Sequence, residues 1–428
     1  MPRTAWLEID LDRLLANVAA IRAVLPPAIR IEAVVKADAY GHGARPIGGW
    51  LQVAGAVDGL CVATLDEGLD LRAAGLVLPI LVLYPLPPDA AVAAARAGLS
   101  VTVADPVLLE RTLRAVADGA APAPLAVQIE VETGLGRAGI APSDLAAVVA
   151  SIRSAPGVEL VGLWSHLAAP EDAVRSAAQA ALFRGAIEAV GRDRRSVDGP
   201  RGPLPAIGHL AATGGILAAS APAYESVRLG LGLYGIAPEG LTPAPEMAAA
   251  AAALRPAMSL HARPVRVAEL PAGHGVSYGP SFETGRPSRI ATLPIGYGDG
   301  WPRALSNRSS ALVRGRPVPL VGTVAMDAVM ADVTDVPGQP VGIDDEFVLL
   351  GEQAGPGGTA AITAVELARS RTTISWEVVT AMARRLPRVY HAAAVPVGLR
   401  TLTEEIHPWL PASSSGMETS ATSRSTRS

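Results

Sequence analysis

The sequence has few of the residues on which several common classes of protein depend. Cysteine occurs once, at Cys61, which excludes an intrachain disulfide and favours a reducing cytoplasm. The net charge is only −4 and no basic run stands out, which argues against nucleic acid or an anionic membrane as the main partner. The Ala-rich stretch Ala248–Ala253 is far shorter than the ~20 residues of a spanning helix. The N-terminus lacks the basic and apolar regions of a signal peptide.

Lysine is also nearly absent, and the exception is informative. The whole chain contains one lysine, Lys36, among abundant arginine. A compositional bias that replaces lysine by arginine explains most of this pattern, because surface charge tolerates the exchange. Imine chemistry does not tolerate it, since a guanidinium stays protonated and cannot act as a nucleophile. Lys36 is therefore a candidate for a covalent role, with a leftover surface lysine as the alternative.

From about residue 30 to 235, the sequence alternates short apolar runs with Ala/Leu-rich helical stretches. Nearly continuous hydrophobicity in the runs is typical of parallel strands covered by helices, and the repeats predict an α/β fold, a (β/α)8 barrel of the TIM type. A doubly wound open sheet is the alternative, weakened because no G-x-G-x-x-G follows the first strand. The predicted strands are Ile31–Val35, Leu60–Thr64, Leu78–Leu83, Ser100–Ala104, Leu125–Val131, Leu160–Trp164, Leu204–Ile207 and Glu225–Arg228.

After Glu239 the pattern changes to short alternating strands separated by turn residues, which predicts a mostly antiparallel β domain. We expect residues 1–240 to form the barrel domain, with residues 1–10 available to pair with the β domain. Residues 241–395 are expected to form the β domain and 396–428 an extension, Ser/Thr-rich and disordered from Pro411. The predicted elements of this domain are strands at Ser259–Glu269, Arg289–Leu293, Ala311–Val313, Val318–Val321, Val329–Val333 and Phe347–Leu350, and a helix at about Ala361–Arg369.

Reactive residues collect at the ends of the predicted barrel strands, where barrel enzymes carry their active sites. Any one of them is read most simply as a structural residue, either a hydrogen-bonded histidine or a paired arginine. Together, polar groups at five strand ends would converge on one mouth. The residues concerned are Lys36, Glu130, Arg137, His166, His209 and Arg228.

The residue types at this mouth favour an organic cofactor. The sequence has no Cys/His cluster with metal-ligand spacing, and it has no G-x-S-x-G nucleophile motif. The turns Thr213–Gly215 and Gly230–Gly232 would let backbone N–H groups approach a phosphate, with ordinary strand–helix turns as the alternative. A lysine in the mouth can form a Schiff base with a pyridoxal aldehyde.

Eight segments, in order along the chain, closely resemble the motifs of alanine racemases. The resemblance extends over about residues 4–395, and its segments include five of the seven tyrosines. The segments are Ala33–Gly43, Glu132–Arg137, Ser165–His166, Val227–Gly235, Gly275–Gly279, Pro294–Gly300, Gly322–Asp327 and Arg385–Tyr390.

The resemblance implies a fold-type III pyridoxal-phosphate racemase that works as a head-to-tail homodimer in the cytoplasm, on a small amino acid. Lys36 would hold pyridoxal phosphate covalently and then act as a base on one face of the substrate Cα. Tyr278 of the partner subunit would be the base on the other face. The family's reaction interconverts L- and D-alanine, a supply of D-amino acid for peptidoglycan precursors.

The resemblance also implies roles for residues around the two bases. His166 would link the tyrosine to Arg228, which would face the pyridine nitrogen, and Arg137 would contact the cofactor oxygen and the substrate carboxylate. The phosphate would be held by Tyr40, Thr213, Gly230, Leu231 and Tyr390. The substrate side would comprise the backbone N–H of Met326, with Tyr297, Tyr390 and Asp327 at the entrance.

The chain departs from the family pattern at three positions. Glu130 stands where many members carry a carbamylated lysine, so we expect its carboxylate to supply the same negative charge beside Arg137. Ala212 and Thr213 stand where asparagine and serine are usual, which keeps one hydroxyl for the phosphate but removes an amide. Ala325 replaces a small polar or thiol residue and would widen the substrate pocket slightly.

Several other functions remain open at this point. A racemase of serine or another small amino acid in a biosynthetic pathway would keep the mechanism. A decarboxylase, aldolase or dehydratase of the same fold would not need Tyr278, and the aldolase type would need paired metal ligands. A non-catalytic pyridoxal-phosphate carrier is usually a barrel alone, whereas this chain has a second domain. A degenerate structural homologue would not keep Lys36, Arg137, His166, Arg228 and Tyr278 together.

Overall fold

The computed structural model describes residues 3–119, 123–191, 197–199, 202–204 and 207–406. The expected disorder after Pro411 lies outside these residues. In the first half of the chain, β1 is Ala5–Asp10, and the other strands are β2 Arg30–Val34, β3 Gly59–Val62, β4 Ile80–Val82, β5 Ser100–Val103, β6 Leu125–Glu130, β7 Val158–Trp164, β8 Val197–Gly199, β9 Gly202–Leu204, β10 Ile207–Ala212 and β11 Ser226–Leu229. The helical segments are α1 Leu11–Arg22, α2 Lys36–Tyr40, α3 Ala44–Val53, α4 Leu65–Ala73, α5 Ala91–Arg96, α6 Pro106–Asp118, α7 Leu145–Ser154, α8 Ala173–Val190 and α9 Thr213–Leu217.

Eight of these strands close into a parallel barrel, in the order β10-β11-β2-β3-β4-β5-β6-β7, which confirms the predicted barrel. All five residues of β2 are buried, as expected for a strand covered on both sides. The helices begin where the sequence supplies capping side chains. Asp105 caps α6 before a proline at the first helical position, and Thr64 forms a capping box with Glu67 on α4.

One barrel strand lies elsewhere than predicted. We expected the seventh strand at Leu204–Ile207, whereas the structure has β10 at Ile207–Ala212, and residues 205–206 lie outside the described part of the chain. Gly208 and His209 make this segment resemble a loop, but His209 points into the barrel, where it is fully buried and bonded to Gln128. His209 therefore lies within the strand and does not follow it.

The second half of the chain is built mostly of strands. They are β12 Met258–Ala262, β13 Arg266–Leu270, β14 Ser288–Leu293, β15 Ser309–Val313, β16 Arg316–Val321, β17 Val329–Asp332, β18 Phe347–Gly355, β19 Gly358–Ile362, β20 Arg388–Ala392, β21 Val395–Arg400 and β22 Glu405–Ile406, with helices α10 Ala248–Ala253, α11 Ala364–Ser370 and α12 Ser375–Thr380. The predicted single strand Ser259–Glu269 is two strands, because Pro264 interrupts it. The predicted helix Ala361–Arg369 begins three residues later, after β19, and Thr363 caps it.

These strands form one large sheet in which the N-terminal strand takes part. β1 pairs antiparallel with β12 and parallel with β20, so residues 5–10 belong to the sheet of the β domain. All other pairings of this sheet are antiparallel. The sheet continues through β21 and β22 to residue 406, beyond the expected boundary at 395. No helix of the described residues is long and apolar enough to cross a membrane.

Candidate active site

The lysine segment has an unusual backbone. Residues Ala37–Tyr40 have φ angles of 53°, 55°, 55° and 52°, which is a turn of left-handed helix made without glycine. Each such residue costs roughly 1–2 kcal/mol, so the surroundings must hold the turn in place. The amide of Ala39 donates to the carbonyl of Val35 at 2.8 Å, and that of Ala37 donates to the Glu67 carboxylate at 2.6 Å. The turn places both Lys36 and Tyr40 on the wall of one cavity.

The Lys36 amine lies in an environment that disfavours its charged form. Burial lowers the pKa of Lys36, and the guanidinium groups of Arg137 and Arg228 lower it further. A lowered pKa increases the fraction of neutral amine at neutral pH, and the neutral amine is the nucleophile. Lys36 is therefore suited to covalent chemistry in a way that an exposed lysine is not.

Arg228, on β11, organises the floor of the cavity and is only 2% exposed. Its Nη2 donates to the carbonyl of Ser165 at 2.7 Å and to Nδ1 of His166 at 3.1 Å, while its Nη1 donates to Nδ1 of His209. The guanidinium also lies 4.9 Å from the centre of the Trp164 ring. Because each contact fixes a different edge of the planar group, the arginine has one orientation.

The two histidines beside Arg228 are neutral. Burial, followed by the charge of Arg228, lowers the pKa of His166 to about 3 and also lowers that of His209. Since Nδ1 of His209 accepts from Arg228, its Nε2 carries the proton and donates to Gln128 Oε1 at 2.8 Å. By the same argument, Nδ1 of His166 accepts and its Nε2 carries the proton.

Glu130 and Arg137 form an ion pair at the edge of the cavity. Arg137 Nη2 lies 3.2 Å from Glu130 Oε1, and the glutamate is buried while the arginine is partly exposed. Burial raises the pKa of Glu130, and the arginine opposes that rise. Arg137 also lies over the ring of Tyr84, 5.6 Å from its centre. The pair orients the guanidinium along the cavity wall.

The opposite wall is made of close-packed backbone. Thr213 Oγ1 accepts from the amides of Gly230 and Gly232, at 3.2 Å each. A Cβ at Gly230 would lie 3.0 Å from the hydroxyl oxygen of Tyr40, so the glycine lets the tyrosine pack close to the backbone here. Burial raises the pKa of Tyr40 to about 12, so its hydroxyl stays protonated and can donate. This wall presents donors to the cavity, as a phosphate site requires.

The cavity has a volume of about 800 Å³ and is lined from both domains. From the β domain, α12 contributes Trp376, which the sequence analysis did not single out. Tyr390, expected at the phosphate and the entrance, does not line the cavity, because it is fully buried in β20 and its hydroxyl donates to the carbonyl of His42 at 3.0 Å. Eight of the expected residues do line it, namely Lys36, Tyr40, Arg137, His166, Thr213, Arg228, Gly230 and Leu231.

The remaining expected residues lie on the surface of the β domain. Tyr278 is 70% exposed, Met326 is 53% exposed, and Tyr297 and Asp327 are exposed as well. None of these four lines the cavity of its own chain. Among the described residues, no group of histidine, cysteine and acidic side chains could hold a metal ion.

Comparison with known proteins gives consistent results. A family model described as the N-terminal domain of alanine racemase matches residues 9–238, and one described as its C-terminal domain matches residues 257–390. An alanine racemase of Symbiobacterium thermophilum is 39% identical over 391 residues, which cover 91% of this chain and 97% of the relative.

Two solved structures show the same fold over nearly their whole length. The alanine racemase of Bacillus anthracis with bound L-Ala-P has a TM-score of 0.81 and 31% identity, covering 94% of this chain and 98% of that one. A histidine racemase of Leuconostoc mesenteroides has a TM-score of 0.78 and 27% identity, covering 91% and 99%. The chain belongs to the alanine racemase family of isomerases.

Proposed function

We propose that this protein interconverts L- and D-alanine with pyridoxal phosphate, as a cytoplasmic homodimer that uses two bases. One observation carries the proposal. The buried lysine with a lowered pKa lies in the barrel cavity, whereas the tyrosine that the family motif supplies is exposed on another surface of the same chain. A second copy, docked head to tail, would bring that tyrosine to the cavity.

The residues of the cavity fit pyridoxal phosphate. Gly230 has no side chain, and the Tyr40 hydroxyl that packs against it is a protonated donor. Thr213 and Leu231 lie in the same wall and would complete the phosphate site. At the other end, Lys36 and Arg228 would contact the ring. The volume of about 800 Å³ is within the usual range for cofactor sites.

Pyridoxal phosphate supplies an aldehyde that condenses with amines and a conjugated ring that takes up the electrons of a broken Cα–H bond. The side chains around the ring would control how strongly it withdraws these electrons. Arg228, held by three neighbours, would place a positive charge beside the pyridine nitrogen and leave that nitrogen unprotonated. A weaker electron sink favours prompt return of the proton, which suits racemisation over transamination.

Racemisation requires proton removal on one face of Cα and proton delivery on the other. The Lys36 amine would exchange a proton on one face, and Tyr278 of the partner subunit would do so on the opposite face. His166, neutral with its Nε2 proton facing away from Arg228, would relay the influence of Arg228 to that tyrosine. The roles are reversed for the other enantiomer.

The substrate carboxylate would bind between Arg137 and the backbone N–H of Met326 from the partner subunit. Arg137 is oriented for this by Glu130, whose carboxylate needs no carbon dioxide to acquire its charge. Tyr297 of the partner subunit would narrow the entrance, with Asp327 beside it, and thereby favour small side chains. The fold by itself does not fix the substrate, since the Leuconostoc histidine racemase shares it.

The decisive experiment incubates the holoenzyme with L-alanine or L-serine in deuterium oxide, following Cα exchange and D-product by chiral analysis. We expect deuterated D-alanine, lost in both Lys36→Ala and Tyr278→Phe. D-serine as the main product would keep the mechanism and change the substrate. Serine is the alternative substrate because the chain departs from the family pattern at Ala212 and Ala325. Exchange without inversion would contradict the two-base mechanism, and cofactor binding without exchange would favour a carrier.

A further inference from the structure

The surface that carries Tyr297 and Met326 is held together by an ion-pair network. Asp299, with a fully buried side chain, accepts from Arg3 Nη1 at 2.6 Å, from Arg385 Nε at 2.7 Å and from the amide of Gly296 at 3.0 Å. Three donors compensate the burial of this carboxylate, and they keep the pKa of Asp299 below its usual value. The network therefore contains a charge that would be costly to leave unpaired.

Arg385 connects two separate loops through this network. Its Nε binds Asp299 in the loop Gly296–Gly300, while its Nη2 binds Asp327 in the second loop at 2.6 Å and the Met326 carbonyl at 3.4 Å. The loops also bond directly, since the amide of Gly298 donates to the Met326 carbonyl at 2.9 Å. A Cβ at Gly298 would lie 2.5 Å from Arg385 Nη2, so the arginine packs flat against the first loop.

The segment that carries Arg385 is itself fixed on its other side. Arg388 is 1% exposed and donates to the carbonyl groups of Gly41, Met382 and Leu386, at 2.8, 3.0 and 2.9 Å. Gly41 follows the left-handed turn of Lys36. The segment 382–388 is thus anchored to the barrel by one arginine and to the two loops by the other.

We propose that Arg385 is a positioning residue that sets Tyr297 and the Met326 backbone at the distance and angle the partner's substrate requires. This inference rests on the proposed function, because it assigns the two loops to the partner's active site. Arg385 touches neither substrate nor cofactor, and it acts by fixing one loop relative to the other. A rigid arginine fork suits this bridge because it can bind two carboxylates at once.

The test compares Arg385→Gln, Arg385→Lys and Asp327→Asn in the holoenzyme dimer, with Arg384→Gln as the matched control. Arg384 is the adjacent residue, and it is exposed. We expect Arg385→Gln to raise KM for alanine about tenfold with kcat changed less than about threefold, the pattern of a misplaced binding contact. Arg385→Lys, which can bind only one carboxylate, should recover part of the loss. Asp327→Asn should cause a smaller rise, and Arg384→Gln none.

Hydrogen exchange measured by mass spectrometry supplies a second readout that does not depend on the substrate. Arg385→Gln should speed amide exchange in residues 294–300 and 323–328 and leave the barrel strands unchanged. Unchanged exchange in these loops would overturn the proposal, and so would faster exchange with an unchanged KM. If the wild-type protein does not racemise alanine, the proposed function fails by itself, while loop exchange still decides whether Arg385 holds the loops.

Discussion

The barrel mouth and the exposed surface of the β domain hold their functional side chains in different ways. In the barrel, Arg228 is 2% exposed, and both terminal nitrogens of its guanidinium contact neighbours. On the β domain, Tyr278 and Met326 are more than half exposed, and hydrogen bonds hold the chain beside them, from Arg385 and the Gly298 amide to the Met326 carbonyl and from Ser277 Oγ to the Thr323 carbonyl. Burial and neighbouring arginines together lower the pKa values of Lys36 and His166, which lie on the barrel side.

The exposed surface of the β domain would take part in catalysis only when a second copy of the chain covers it. Tyr278 is 70% exposed, so in a single chain most of its side chain faces water rather than a substrate. The same residue against a buried arginine–histidine pair would be in a very different environment. The contrast between the two regions supports the dimer proposed above, in which each chain would carry two half-sites and a working site would form between two copies.

The division into half-sites is tested most directly by inactivating a different half-site in each of two chains. Lys36→Ala and Tyr278→Phe homodimers should each lose at least ~10³-fold in kcat, as expected for removal of a catalytic base. Subunits of the two variants, mixed equally and reassociated, should recover about a quarter of wild-type activity, because half the dimers are mixed and each has one intact site. Racemisation assays before and after mixing measure this.

The double variant Lys36→Ala/Tyr278→Phe mixed with wild-type protein is the control, since its mixed dimers contain no intact site. If Lys36 and Tyr278 served the same site from one chain, mixing the single variants would restore nothing. That result would contradict the division into half-sites.

A buried histidine on the barrel side lowers the free energy of unfolding at low pH, whereas an exposed histidine on the β domain should not. His42, fully buried beside the lysine turn, has its pKa lowered to about 4 by burial. The unfolded chain takes up this proton near pH 6.5 and the folded chain only near pH 4, so the free energy of unfolding falls as the pH falls through that window. The loss from this residue is at most about 3 kcal/mol.

His42→Gln should flatten this dependence, while the side-chain amide can still donate to the carbonyl groups that Nδ1 of His42 contacts, those of Ala39 and Tyr40. Urea titrations between pH 6.5 and 4.5 would measure the slope. The matched control is His274→Gln, since His274 is exposed, and it should follow the wild-type curve. Equal slopes in all three proteins would show that His42 does not titrate differently on folding.

Much of the fold, but less of the site, could be predicted from the sequence. Lys36 was identifiable because a single lysine in an arginine-rich chain is a compositional anomaly. β10 was misplaced because His209 and Gly208 break an apolar run, and only the barrel interior explains a histidine there. The structure places Trp376 in the cavity wall and Tyr390 against the His42 carbonyl, because a sequence motif does not show which neighbour a side chain faces.

The two regions are not fully separate, because α12 of the β domain brings Trp376 to the cavity of its own chain. Trp376→Ala should raise the concentration of pyridoxal phosphate needed for half-saturation about tenfold, from the loss of a half-buried aromatic contact worth ~1–1.5 kcal/mol. Trp376→Phe should keep most of the affinity. Absorbance titration of the apoenzyme measures both, and equal affinities in the Ala variant and the wild type would remove Trp376 from the site.

The smallest effect on KM is expected at Glu130, a buried carboxylate paired with the partly exposed Arg137. Glu130→Gln keeps the size of the side chain and removes its charge, so Arg137 would be less firmly oriented toward the substrate carboxylate. Because Arg137 is partly exposed and solvent screens the pair, we expect KM for alanine to rise only about fivefold, corresponding to ~1 kcal/mol. The matched control is Glu110→Gln, which breaks the exposed ion pair of Glu110 with Arg114 and should change nothing. An unchanged KM in Glu130→Gln would mean that its carboxylate does not take the place of the family's carbamate.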